Sequence, residues 1–332
     1  MTATLAMAVV GAAALVAGCT LPAGPSVAVR SQPPDRGIVE GARAAPSAGC
    51  DPSARESSAV VGVPAPGGTG VVRITWQGRT RQAVVRVPAD TTGPMPLLVS
   101  LHPFTLGPEA WEAYSGLGRA AAQRGYVAVT PLGSDPGPRW AVPGGLPTEL
   151  DDVGFVAALL DHIEDSLCVD RNREFAAGFS AGAAMAQAVS CTLPLRFRAV
   201  AGSGGVNLTS LCPASPPTDV FVLHGTADAI APLTGSTVVF APPLGLPVAD
   251  VVANDAARAG CDPVPAAGSP VAGVRSATYA GCADGHRVQY WQMQGAGHSW
   301  AGTTGLLSLI VGPTLQSFSA TATVLDFFDA TA

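Results

Sequence analysis

The stretch Gly178-Phe179-Ser180-Ala181-Gly182 leaves this chain fewer folds to choose from than any other feature. The strand-like segment Glu174–Phe179 precedes it, and the helix-compatible segment Gly182–Ser190 follows. A serine held between a strand and a helix, with glycine two positions to either side, marks a turn so tight that neighbouring Cβ atoms would collide. Such a turn lifts the hydroxyl clear of the sheet and points a helix N-terminus at it. The pattern arises easily by chance in a chain with 39 Gly, so its weight comes from the strand before it and the helix after it.

The same alternation extends along the body of the chain. Val71–Trp76 and Gln82–Val87 read as a hairpin turning near Gly78, and Leu97–Leu101 as a strand buried on both faces. Helical spacing is expected over Pro108–Arg124, stopped by Gly125, with Tyr126–Thr130 as the next strand and residues 133–148 as a loop. Asp151–Leu167 is predicted to be a helix; Arg198–Ala201, Asp219–Leu223 and Val288–Met293 read as strands, with a helix near Val248–Arg258. Strands alternating with crossover helices mean an α/β architecture, a mostly parallel sheet with helices on both faces.

Composition removes whole classes of chemistry. The 18 basic residues are all Arg, so the lysines of a P-loop, a pyridoxal enzyme or a Ser-Lys hydrolase are missing. With net charge −6 and no basic stripe, nucleic acid is not an expected partner. No C-x-x-C pair occurs, and neither a metal nor a cofactor is expected. Setting Cys19 aside, the remaining cysteines are Cys50, Cys168, Cys191, Cys212, Cys261 and Cys282, an even number consistent with disulfides in an oxidising compartment. Cys261 with Cys282 is the favoured pair, since only a polar, Gly-rich insertion separates them.

Residues 3–18 form an uncharged apolar run, too short for a membrane span of ~18 or more residues and suited to a signal-peptide core. Val16-Ala17-Gly18-Cys19 resembles the lipobox of bacterial lipoproteins, in which cleavage precedes a cysteine that is then acylated. No Lys or Arg precedes the run, a departure from the usual positive start of an export signal. The expected organisation is therefore a signal peptide over 1–18, a lipidated tether over 19–68 rich in Pro, Gly, Ala and Ser, and a catalytic domain over 69–332. The protein is expected at the outer face of the cell membrane or secreted, touching membrane only through Cys19, and monomeric.

A serine hydroxyl needs a base within reach, and the base needs a carboxylate to fix its tautomer. Of five histidines, His298 sits in Gly297-His298-Ser299-Trp300, directly after the last strand. His286 precedes that strand, His162 lies on a helix, and His102 and His224 end buried strands. Asp228 follows the strand Asp219–Leu223 through His224-Gly225-Thr226-Ala227; Asp219, Asp250, Asp255 and Asp284 are less directly placed. Ser203, which also follows a strand, lacks the preceding glycine and reads as a packed strand end. The oxyanion hole is expected from the backbone N–H of Ala181 and, because Pro103 has none, that of Phe104. Trp140, Trp300 and His102 are the expected substrate contacts, with residues 231–247 at the rim.

Jointly, Leu101-His102, Asp151-Asp152-Val153-Gly154-Phe155, Cys168-Val169-Asp170, Gly178-Phe179-Ser180-Ala181-Gly182, His224-Gly225-Thr226-Ala227-Asp228 and Gly297-His298-Ser299-Trp300 resemble the polyhydroxybutyrate-depolymerase and feruloyl-esterase group of α/β-hydrolases, related to the first family of carbohydrate esterases. The resemblance spans most of residues 80–330 and implies an α/β-hydrolase fold and a Ser180, Asp228, His298 triad. Pro103 stands where members commonly carry Gly, and Ala301 where they often carry Pro. With no residues left for an added polymer-binding domain, a soluble or cell-wall ester, as a small molecule or on a polysaccharide, is expected in place of crystalline polyester. The expected reaction is two-step acyl transfer: carboxylic ester hydrolysis of short-chain, feruloyl, acetyl-polysaccharide or hydroxyalkanoate type. The alternatives are a serine peptidase of the same fold and a non-catalytic lipoprotein on a hydrolase scaffold.

Overall fold

The computed structural model describes residues 45–53, 62–134, 139–145, 148–235, 245–304 and 311–331, all within the unit Arg36–Ala332. The signal-peptide, lipidation (Cys19) and most of the tether expectations lie outside them, as does 236–244 of the expected rim.

Ten strands form one sheet: β1 (Thr69–Trp76), β2 (Arg79–Arg86), β3 (Met95–Leu101), β4 (Val127–Pro131), β5 (Val169–Phe179), β6 (Ala199–Ser203), β7 (Asp219–Gly225), β8 (Ala266–Gly268), β9 (Val274–Tyr279) and β10 (Val288–Met293). Their order is β1-β2-β4-β3-β5-β6-β7-β10-β9-β8. The six strands from β4 to β10 in that order are mutually parallel, while β1, β2, β8 and β9 extend the two edges antiparallel. A parallel sheet needs cover on both faces. On one face lie α3 (Asp152–Ser166), α4 (Ala181–Thr192) and α5 (Val248–Arg258), which pack Phe155, Leu159, Ile163, Met185, Val189 and Val252 onto Leu97, Val99 and Ala176. On the other lie α1 (Pro108–Ser115), α2 (Leu117–Gln123) and α6 (Ala320–Asp329), which pack Trp111, Leu117, Val324 and Phe328 onto Leu98, Phe175 and Phe221. The two sets of strand residues alternate, as the period of two in a pleated strand requires.

The single helix expected over Pro108–Arg124 is two. Gly116 takes a left-handed conformation (φ 63°), which ends α1 and starts α2. Strands β8 and β9 and helix α6 were not read from the sequence. The favoured Cys261–Cys282 disulfide is present, joined by Cys50–Cys168 and Cys191–Cys212. Cys50 thus pins part of the Pro-rich segment to the domain, and Ser47 N–H donates to Val169 O (2.8 Å) beside it.

Candidate active site

Four parallel strands, β3, β5, β7 and β10, deliver the candidate residues to one edge of the sheet. Ser180 follows β5 with φ 55° and ψ −122°, a left-handed conformation for a non-glycine residue that costs on the order of 1–3 kcal/mol and persists only where its surroundings enforce it. They do. A Cβ at Gly178 would lie 2.4 Å from Gly182 O, and one at Gly182 would lie 2.1 Å from Leu101 O and 2.8 Å from His102 O. Both glycines are therefore demanded by contact, and the second brings the end of β3 against the start of α4. Ser180 N–H donates to Ser203 O (2.9 Å) at the end of β6. Ser203 itself is fully buried, in keeping with a packed strand end.

His298 and Asp228 meet directly: His298 Nδ1 is 2.8 Å from Asp228 Oδ2, both nearly buried. The other carboxylate oxygen, Oδ1, accepts from the N–H groups of Ile230 (2.9 Å) and Ala231 (2.8 Å). With the carboxylate so held, Nδ1 carries the proton and Nε2 is left as the basic nitrogen. The two loops are tied together by Ala227 N–H donating to Ala296 O (2.9 Å), and a Cβ at Gly225 would lie 2.3 Å from both Ala296 O and Gly297 O.

Three contacts bring the serine to this pair. The ring of Phe179, the residue before Ser180, lies 4.8 Å from the His298 ring. A Cβ at Gly204 would be 3.3 Å from His298 Nδ1 and 3.4 Å from Asp228 Oδ2, while one at Gly205 would be 2.1 Å from Ser180 O. The Gly204-Gly205 pair thus fills the seam between Ser180 and the His298–Asp228 pair with backbone alone. Sequence reasoning passed over it, although two glycines directly after a buried strand were the available signal. Among the described residues Ser180 Oγ makes no hydrogen bond, a contact that in ligand-free sites commonly tightens only on substrate binding. Nor do the N–H groups of Ala181 and Phe104 have a partner among those residues.

All three expected substrate contacts are buried. Trp300 is 1% exposed; its indole N–H donates to Thr321 Oγ1 (2.8 Å) and its ring meets Trp111 edge-on at 5.2 Å. His102 is fully buried, and Trp140 is 7% exposed with its N–H donated to His102 O (2.8 Å). The side chains that do face solvent are Phe104, 57% exposed on the loop after β3, and Ile230, 55% exposed beside Asp228.

A second buried histidine, His224, backs the carboxylate: its Nε2 lies 2.6 Å from Ala231 O and 3.5 Å from Asp228 Oδ2. Burial holds this imidazole below its ordinary pKa, so it stays neutral beside the acid. Among the described residues no group of three or more His, Cys, Asp or Glu side chains is placed to hold a metal ion.

No family model matches the chain. Feruloyl esterase C of Emericella nidulans is 30% identical over 234 residues, which cover 67% of this chain and 77% of that protein. Feruloyl esterase D of Neurospora crassa is 28% identical over 274 residues, covering 78% and 84% respectively. Among solved structures, the acetyl xylan esterase from Aspergillus awamori shares the fold, with a TM-score of 0.52 at 16% identity over 69% of this chain and 93% of that one.

Proposed function

The chain belongs to the family of α/β-hydrolase carboxylic ester hydrolases that contains feruloyl esterase C, and on that premise we propose that it hydrolyses esters through an acyl-enzyme on Ser180. The observation that carries the proposal is the His298–Asp228 pair, 2.8 Å apart and packed through Phe179 and Gly204-Gly205 against the strained serine turn. Ser180 Oγ attacks the ester carbonyl while His298 Nε2 takes its proton; Asp228 stabilises the imidazolium that results. The N–H groups of Ala181 and Phe104 receive the developing oxyanion. His298 then protonates the departing alcohol, and the same imidazole activates the water that releases the acid.

For the substrate, we favour a soluble or wall-bound ester of feruloyl or acetyl type, because the named relatives are feruloyl esterases and exposed Phe104 and Ile230 offer apolar surface to an acyl group. The test is a panel of p-nitrophenyl esters of rising chain length, methyl ferulate and acetylated xylan, with Ser180→Ala as control. Turnover that survives Ser180→Ala at full rate would refute the mechanism; turnover of peptide and not ester substrates would refute the class.

The disulfides fit an oxidising compartment. We further propose export and lipid anchoring through Cys19, supported by the apolar run and the Val16-Ala17-Gly18-Cys19 signature. Partition of the protein into a detergent phase, lost in Cys19→Ala, is the expected result.

A further inference from the structure

His102 was expected to touch substrate, yet its ring is sealed inside the protein. Its hydrogen bonds give it a different task. Gly133 N–H can only donate, and it points at His102 Nε2 (2.9 Å). That nitrogen must therefore be the acceptor, so the ring proton sits on Nδ1 and is donated to Pro103 O (2.9 Å). Pro103 O and the N–H of Phe104 belong to one peptide unit, and in a trans peptide the two point in opposite directions. Fixing the carbonyl on the inside aims the N–H the other way, and the two residues before this peptide unit, Leu101 and His102, have their backbone pressed against Gly182 at the start of α4. Proline at 103 has a locked φ and no N–H, so Phe104 is the first backbone donor after His102.

We propose that His102 is a positioning residue, which orients the oxyanion-binding N–H of Phe104 by holding the carbonyl of the same peptide bond. The inference rests on the acyl-transfer reading given above. A clamp outside the ring holds the tautomer in place. Trp140 packs against His102 with ring centroids 4.7 Å apart and donates to His102 O. The loop carrying Gly133 and Trp140 is in turn pinned by Asp152, fully buried at the start of α3, which accepts from Ala141 N–H (2.8 Å), Arg81 Nη2 (2.8 Å) and Ser134 Oγ. Burial also disfavours the charged imidazole, which would turn Nε2 into a donor facing the donor of Gly133.

Two substitutions separate the ring's two bonds. Asn at 102 places an amide N–H near the position of Nδ1 and keeps the bond to Pro103 O; Gln places a carbonyl near Nε2 and keeps only the bond to Gly133. With p-nitrophenyl acetate, His102→Asn should retain kcat within about threefold. His102→Gln should lose kcat by about 100-fold, the size of effect seen when one oxyanion donor is removed, with KM little changed. A trifluoromethyl ketone, whose tetrahedral adduct carries the oxyanion, should bind His102→Gln more weakly by the same factor. Trp140→Phe, which keeps the ring contact and deletes the N–H to His102 O, provides a milder second perturbation and should lower kcat and ketone affinity together, about tenfold. Equal losses in the Asn and Gln variants, or a fall in kcat with ketone affinity intact, would overturn the proposal and leave esterase chemistry standing. Failure of the ketone to inhibit the wild type would remove the acyl-transfer reading itself, and this inference with it.

Discussion

Replacing Gly182 with alanine perturbs the seam on which the serine turn depends. The new Cβ would stand 2.1 Å from Leu101 O, 2.6 Å from Leu101 C and 2.8 Å from His102 O, all backbone atoms at the end of β3. An ordinary carbon–oxygen contact is about 3.3 Å, so the shortfall is about 1.2 Å. Because β3 is bonded between β4 and β5, the strain falls on its frayed end and the Pro103-Phe104 loop, or on the Ser180 turn itself. Either way nucleophile and oxyanion donor part by roughly 1 Å, a misplacement that typically costs about 100-fold in rate. Overpacking of this kind destabilises by about 1–3 kcal/mol. The measurement is kcat and KM on p-nitrophenyl acetate beside a urea unfolding curve. Gly285→Ala is the control: at φ 70° with nothing within 4 Å of its Cβ, it should lose about 1 kcal/mol of stability from left-handed strain and no activity. Should Gly182→Ala keep its rate within threefold of wild type while losing stability, the contact between β3 and α4 would have no part in catalysis, and the reasoning would fall.

Asp228→Asn should leave the fold intact and reduce kcat by about 10⁴-fold, because an amide no longer dictates which imidazole nitrogen carries the proton; pre-steady-state acylation would detect the loss, and a fall below tenfold would remove Asp228 from the triad. The loop closed by Cys50–Cys168 spans 118 residues against 21 for Cys261–Cys282, so the chain-entropy model makes the first worth roughly 1.5 kcal/mol more. Denaturation midpoints of the two Cys→Ser pairs should follow that order. Burial pushes the Asp255 carboxyl up to about 6, partly offset by Arg258 and Gln187. A folded-state value raised above the unfolded one near ~3.9 gives stability that is present at low pH and lost as pH rises towards 6, about 2–3 kcal/mol in all. Wild type compared with Asp255→Asn should thus lose relative stability between pH 4 and pH 7, and a gain over that range would contradict the assignment.

Much of the sheet was legible because strands buried on both faces read as near-continuous apolar runs, as Leu97–Leu101 does apart from Ser100 and Val220–Leu223 does after Asp219. Strands β8 and β9 were hidden for the opposite reason: at the sheet edge, Ala266–Gly268 is exposed throughout and Val274–Tyr279 is mostly half-buried, so neither carries a hydrophobic signature. The break at Gly116 turns on one positive φ that helical spacing alone does not register. The candidate triad rested on local facts, the tight serine turn and the strand-end positions of Asp228 and His298, and the structure brings the last two together. The burial of Trp300 was not legible, since it is covered by Trp111 and Thr321, partners 189 and 21 positions away in the sequence that packing on one face of the sheet brings together.

The Cys50–Cys168 bond decides where a load on the N-terminal segment enters the fold. Force arriving through residue 45 passes by a covalent link to Cys168, the residue before β5, and Ala45 and Ser47 are bonded to Asp170 and Val169 at that same end. A register shift opposite Met95–Leu97 shortens strand β5, so Val169–Gly178 runs alongside the seven residues of β3, about 20 Å at the usual rise, and Ser180 sits just past its far end. Traction from that side is thus absorbed at the base of the central strand, and Ser180 stands at its opposite end.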